Sequence, residues 1–193
     1  MRSMTTLKRR SGTGLPGISA PSSLLTAGVF VMFSFIVGCA DQELPGNEWP
    51  SFHGPDRTNK SSETGLLKEW PQGGPELLFT VSGLGEGFSS VSIADGMIFT
   101  SGTVDKQPYV FAFDLMGKQV WKTPAGGSWS TTASYASSYT GARSTPTYDE
   151  GVVYYLGEMG RLSAMDSETG KELWVKELAQ EFDAPPTEYG YSE

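Results

Sequence analysis

The sequence predicts an all-β fold, a β-propeller of four-stranded antiparallel blades with about two complete blades present. Three observations carry this. The phrase "LSAMDSETGKELW" at 162–174 echoes "VFAFDLMGKQVW" at 110–121, and their aspartates, Asp114 and Asp166, stand 52 residues apart. "SSVSIADGMIFTSG" at 89–102 aligns with "STPTYDEGVVYYLG" at 144–157, an offset of 55 residues. The chain is also rich in Gly, Trp, Tyr and Phe, with Thr and Val, and short strand-like runs are separated by Gly and Asp. Repeats of about 40 to 50 residues that each hold several short strands are what stacked blades look like in sequence.

Each unit reads as four strands. The first is Ser/Thr-rich ("SSVSI", "STPTY"), and a turn at Asp95-Gly96 or Asp149-Glu150-Gly151 leads to the second ("MIFTS", "VVYYL"). The third ("YVFAFD", "RLSAMD") turns through "LMGK" or "SETGK" into the fourth ("QVWKT", "ELWVK"). Side chains alternate along a strand, so Leu162, Ala164 and Asp166 share one face while Ser163 and Met165 share the other. Ala112 and Ala164 are small where a neighbouring ring has to approach. Asp114 and Asp166 are expected to accept hydrogen bonds from N–H groups one to three residues on, which fixes the turn. Gly117 and Gly170 suit a left-handed position that a side chain would strain by about 1–2 kcal/mol. Trp121 and Trp174 are expected to fill the gap between adjacent blades, because one unit cannot bury both of its faces alone.

A partial third copy precedes these. "GPELLF" at 74–79 aligns with "GKQVWK" and "GKELWV", which puts Leu78 where Trp121 and Trp174 stand. "YGYSE" at 189–193 reads as the lead into a further first strand, with Gly190 in the place of Gly87 and Gly141. A closed propeller needs about four to eight blades. The sequence is therefore expected to be the N-terminal part of a longer protein. A two-blade chain that closes by oligomerising is the alternative.

The divisions expected along the chain are an export signal at 1–38, a tether and irregular arm at 39–75, and blades over 76–193. Arg2, Lys8, Arg9 and Arg10 make a basic, acid-free start, and "LLTAGVFVMFSFIV" at 24–37 is shorter than the roughly 18 to 20 residues a spanning helix needs. The run ends in "IVGC", where Gly38 precedes Cys39, the only cysteine. This resembles the lipobox of bacterial lipoproteins, which implies that Cys39 is lipidated and anchors the chain in a membrane, with Ala40 after it pointing to the outer one. A buried cysteine after a cleaved signal or an uncleaved anchor is the alternative. In the arm, Trp49 and Trp70 are expected to pin the chain to the folded body.

Charge excludes some partners. Without the four basic residues of 1–38, ten Lys/Arg face 22 Asp/Glu, a net charge of −12. Nucleic acid and anionic lipid both select clustered basic residues, and the mature part has no such run.

The pattern A-x-D-x-x-T-G-K-x-x-W, written here as Ala164, Asp166, Thr169, Gly170, Lys171 and Trp174, resembles the tryptophan-docking repeat of the pyrroloquinoline-quinone (PQQ)-like β-propellers. The earlier copy keeps Ala112, Asp114, Gly117, Lys118 and Trp121 but is one residue shorter and lacks the threonine. The resemblance implies that the tryptophan docks on its own alanine and on the next blade's backbone. The arm from Trp49 is similar to the N-terminal lead of exported members, where it supplies an outer strand to the ring-closing blade.

That family includes quinoprotein alcohol dehydrogenases, which cradle PQQ with an adjacent cysteine pair, a tryptophan platform, an arginine and a calcium ion. This sequence has one cysteine, and its only asparagines, Asn47 and Asn59, lie in the arm. No catalytic residue, metal ligand or cofactor site is therefore assigned from it. His53 is the sole histidine, so no histidine metal cluster or Ser-His-Asp triad can be built. Glu168 with Glu172, and Glu177 with Glu181, read as solvated charge. The best candidate for binding is the irregular insert at 126–146, with Arg143, Trp129 and Tyr139 at a channel rim. Arg143 there could hold a carboxylate or phosphate, or bridge blades to an acidic side chain.

The functional reading is an exported, lipid-anchored binding or assembly scaffold at the cell envelope, taking an envelope protein or a small-molecule or saccharide ligand at the channel. One alternative is a periplasmic PQQ- and calcium-dependent dehydrogenase of alcohols or sugars. The other is a sensor or structural domain of a surface assembly.

Overall fold

The computed structural model describes residues 48–192, which all belong to one compact unit. The export signal and Cys39 lie outside the described residues. Eight strands form two four-stranded antiparallel sheets, each in simple sequential order. The first holds β1 (Ser92–Ala94), β2 (Met97–Val104), β3 (Gln107–Asp114) and β4 (Gln119–Pro124). The second holds β5 (Thr147–Asp149), β6 (Val152–Leu156), β7 (Arg161–Asp166) and β8 (Glu172–Glu177), followed by one helical turn, α1 (Leu178–Glu181). These are two consecutive blades of an unclosed propeller.

The inner strands start later than the sequence pattern suggests. Strand pairing covers 92–94 and 147–149, whereas the Ser/Thr runs just before them bond through side chains instead. Thr100 Oγ1 donates to the Ser90 carbonyl (2.9 Å), and Ser101 Oγ donates to the Ser144 carbonyl (2.8 Å). Short hydroxyl side chains offer the backbone this alternative to a ladder.

The repeated phrase builds the same turn twice. Asp114 Oδ1 accepts from the N–H groups of Met116 and Lys118, both at 2.9 Å. Asp166 Oδ1 accepts from the Thr169 N–H (2.9 Å) and hydroxyl (2.6 Å). Both turns pass through glycine in the left-handed region, Gly117 at φ 80° and Gly170 at φ 68°. A register shift then follows in each blade, between Ala112 and Phe113 and between Ala164 and Met165, leaving Val120 and Leu173 without partners. Such a bulge re-aims the next side chain, here the tryptophan. Ala112 lies in register between Phe99 and Trp121, whose ring centroids are 5.9 Å apart, and Ala164 lies likewise between Tyr154 and Trp174, 6.0 Å apart.

The core sits between the blades. Phe99, Val110, Ala112 and Trp121 of the first sheet meet Val153, Tyr155 and Met165 of the second. Trp121 reaches across to the β7–β8 turn, where its Nε1 donates to the Ser167 carbonyl (2.7 Å) and its ring lies on Gly170. Beside it Thr123 Oγ1 donates to the Gly170 carbonyl (2.7 Å).

Trp174 holds the equivalent place in the second blade but is 42% exposed, against 7% for Trp121. The described residues include no blade after the second, the one on which Trp174 is expected to dock. Glu172 and Glu177 are likewise more than solvated charge, since both pair with Arg161, at 2.7 and 2.5 Å.

Two further expectations need correction. The ring that occupies the docking place over the first blade's turn is Phe79, not Leu78. A side chain at Gly117 would meet Phe79 at 2.5 Å, while Leu78 is 80% exposed. Residues 74–79 also form no strand, so the docking aromatic comes from irregular chain. In the arm, Trp49 does pin the chain by exchanging backbone hydrogen bonds with Ile93 at 2.8 and 2.9 Å, and Pro50 accepts from the Tyr148 N–H (2.8 Å). The arm thus ties the inner strands of both blades. Trp70, by contrast, is 70% exposed and pins nothing among the described residues.

Candidate functional site

The segment joining β4 to β5, residues 125–146, folds around Arg143. Arg143 Nη2 donates to the Tyr139 carbonyl, and the guanidinium carbon lies 5.2 Å from the Trp129 ring and 5.8 Å from the rings of Phe88 and Tyr189. The rings continue the cluster outward, with Phe88 6.0 Å from Tyr139, Trp129 6.5 Å from Tyr189, and Tyr135 6.4 Å from Tyr189. Trp129 is buried, while Phe88, Tyr135, Tyr139 and Tyr189 are each about half exposed. Three stretches of chain converge here. Residues 86–88 are held by backbone bonds from Glu86 to Thr103 and from Phe88 to Ala142, and Tyr189 arrives with the segment that Tyr191 N–H ties to the Glu158 carbonyl (2.8 Å).

Arg143 makes no ion pair among the described residues, so the acidic bridge considered for it is replaced by aromatic faces. A guanidinium is weakly hydrated and planar, so stacking between rings holds it without full desolvation of a paired charge. The structure thus gathers Arg143, Trp129 and Tyr139 and adds Phe88 and Tyr189, two rings not selected from the sequence.

Sequence reasoning also missed Glu158, which is 1% exposed. Its Oε1 accepts from the Thr103 hydroxyl (2.8 Å), and its Oε2 accepts from the Trp129 N–H (2.7 Å) and the Ser128 hydroxyl (3.3 Å). Buried charge is tolerated only when hydrogen bonds replace its water, and three donors do so here. The carboxylate therefore fixes the backbone that carries Trp129. A signal was available, since Glu158 follows Gly157 as Thr103 follows the aligned Gly102, so an acid replaces a hydroxyl in otherwise matching repeats.

Two hollows flank these elements. A polar cleft of about 500 Å³ lies between the β2–β3 hairpin tip at Asp105–Lys106 and the Ser128–Thr140 stretch. An apolar hollow of about 250 Å³, lined by Phe79, Ile98 and Phe113 among others, lies on the opposite face of the first sheet from the interblade core.

PQQ is flat and anionic, and its calcium partner takes six to eight oxygen ligands. The described residues do not fit them. The Trp129 face is already taken by Tyr189 and Arg143, the Glu158 oxygens are committed to three protein donors, and no three His, Cys, Asp or Glu side chains gather to hold a metal ion among the described residues.

No curated protein matches the chain. Among solved structures, it is similar to part of a europium-containing methanol dehydrogenase, with 26% identity and a TM-score of 0.32 over 45% of this chain and 14% of that one. It is also similar to part of the quinohemoprotein alcohol dehydrogenase ADHIIG from Pseudomonas putida HK5, with 18% identity and a TM-score of 0.26 over 49% of this chain and 21% of that one. It spans under a quarter of the length of either enzyme. Residues 59–190, which hold both blades and the Arg143 cluster, match the PQQ-like repeat family described as outer membrane protein assembly factor BamB, and the chain belongs to that family.

Proposed function

We propose that this protein is an exported, lipid-anchored binding and assembly scaffold at the cell envelope, which contacts a partner protein through the aromatic cluster around Arg143. The observation that carries the reading is that cluster: four half-exposed rings, one buried tryptophan and an arginine drawn from three separate stretches of chain. Tryptophan, tyrosine and arginine dominate the energetics of protein interfaces, and monomeric surfaces seldom leave such groups contiguous. The family's description as an assembly factor supports the same reading, as does the lipobox-like "IVGC" at Cys39.

The chemistry is one of docking. Aromatic side chains have few rotatable bonds, so ordering them on binding costs little entropy. Arg143 is already held by the Tyr139 carbonyl and three ring faces, and Glu158 holds Trp129 from beneath. A partner would meet a surface organised before contact.

The test is site-specific photocrosslinking in the full-length protein in its own envelope, with the reactive side chain at Tyr139. A discrete crosslinked partner is expected, and Arg143→Ala is expected to reduce its capture at least tenfold. Unchanged capture by Arg143→Ala and Tyr139→Ala would remove the cluster from the interface. For the anchor, Cys39→Ser is expected to release the protein from membranes washed in high salt, and continued partition would overturn it.

A further inference from the structure

The cleft beside the aromatic cluster is built by a local departure from the repeat. Strands β2 and β3 hold eight residues each, whereas β6 and β7 hold five and six. The longer hairpin closes with Val104 opposite Gln107, so Asp105 and Lys106 alone make its turn, at φ 51° and 65°. Two-residue turns of this kind favour Asn-Gly or Asp-Gly, because both positions are left-handed. A lysine at the second position is held against its own preference, and such strain persists where the side chain has a use.

The polar groups in the cleft are oriented unevenly. The Thr103 hydroxyl donates to Glu158, the Ser128 hydroxyl points to Glu158, and the Thr140 hydroxyl donates to Glu86 Oε2 (2.8 Å). With those protons directed to carboxylates, the hydroxyl oxygens keep acceptor capacity for a ligand. Asp105 and Lys106 are exposed and form no hydrogen bond or ion pair among the described residues.

We propose that this cleft binds a neutral, hydroxyl-rich ligand, a short saccharide. An anionic ligand would face Glu86 and Asp105. A purely cationic one would face Lys106 at the tip. Sugar hydroxyls both donate and accept, so they satisfy the acceptor-rich wall and the Lys106 ammonium together. The volume lies within the usual range of small-molecule sites, about 300–1,000 Å³. This site adjoins the partner-binding cluster, sharing Trp129 with it, and its ligand goes beyond that reading.

The test uses the full-length protein on an array of neutral glycans, with maltotriose and chitotriose as solution probes followed by saturation-transfer NMR. Saturable binding of at least one neutral glycan is expected. Asp105→Ala is expected to weaken it at least tenfold. Lys106→Gly relieves the left-handed turn, so it is expected to raise Tm while weakening binding, which separates a ligand contact from a folding role. The proposal is overturned if no neutral glycan binds, if spermidine, diglycine or inorganic phosphate binds in its place, or if the Asp105 and Lys106 variants bind as the unaltered protein does. Photocrosslinking at Tyr139 reads the partner surface independently of every one of these outcomes.

Discussion

Trp121 and Trp174 stand at the same place in the same phrase, follow the same bulge and lie across the same small alanine, yet one is buried and the other is close to half exposed. The difference lies in what comes next. Trp121 has the β7–β8 turn of the second blade to dock on, with Gly170 beneath its ring and the Ser167 carbonyl at its nitrogen. Among the described residues, Trp174 has only its own sheet. A blade therefore presents its tryptophan, and its neighbour supplies most of the stabilisation.

The largest expected effect tests that division directly. Trp121→Ala is expected to cost about 3–5 kcal/mol in urea unfolding, as large core truncations do. In the 193-residue chain, where Trp174 is 42% exposed, Trp174→Ala is expected to cost only about 1–2 kcal/mol. Equal losses would break the comparison.

Next come the glycines under the rings. An added methyl at Gly170 would lie 2.5 Å from Trp121 Cδ2 in a left-handed backbone, so Gly170→Ala is expected to cost about 2–3 kcal/mol by the same measurement. Gly117→Ala meets Phe79 just as closely. Phe79 rides on irregular chain that can withdraw, so about 1–2 kcal/mol is expected there. A larger loss at Gly117 would show that the arm is as firmly seated as a blade.

The smallest effect is electrostatic. The hydroxyl and then the backbone N–H of Thr169 hold the Asp166 carboxyl below its usual range. A carboxyl lowered in the folded state stabilises that state fully above its unfolded value near 4, and the contribution is lost as pH falls through the lowered folded value. Thr169→Ala is expected to raise the Asp166 titration midpoint in carboxyl-carbon NMR and to flatten this acid-side loss. The first blade's turn has no threonine, so this contribution belongs to the second turn.

The strands that alternate cleanly were legible in the sequence. Residues 152–156 and 161–166 fold as the pattern reads, and β2 through β4 differ from it only at their ends. Periodicity failed where hydroxyl side chains took over backbone bonding, at 89–91 and 144–146. It also failed at Phe79, where an alignment by glycine placed Leu78 one residue from the ring that docks. The candidate site was legible through Arg143, Trp129 and Tyr139, because irregular chain between two repeats stands out. Phe88 and Tyr189 were not, since each lies about 50 residues from Arg143 and joins it only when the leads into successive blades come side by side. Glu158 was hidden inside a strand-like phrase, where only its departure from Thr103 marks it.

The hydrogen bond from Trp121 to Ser167 also gives the molecule a clock. An indole N–H that ends on a carbonyl of the neighbouring blade exchanges with deuterium only when the two blades part. Its exchange rate would time that parting, while the Trp174 indole, with no described neighbour to donate to, would keep the pace of open water.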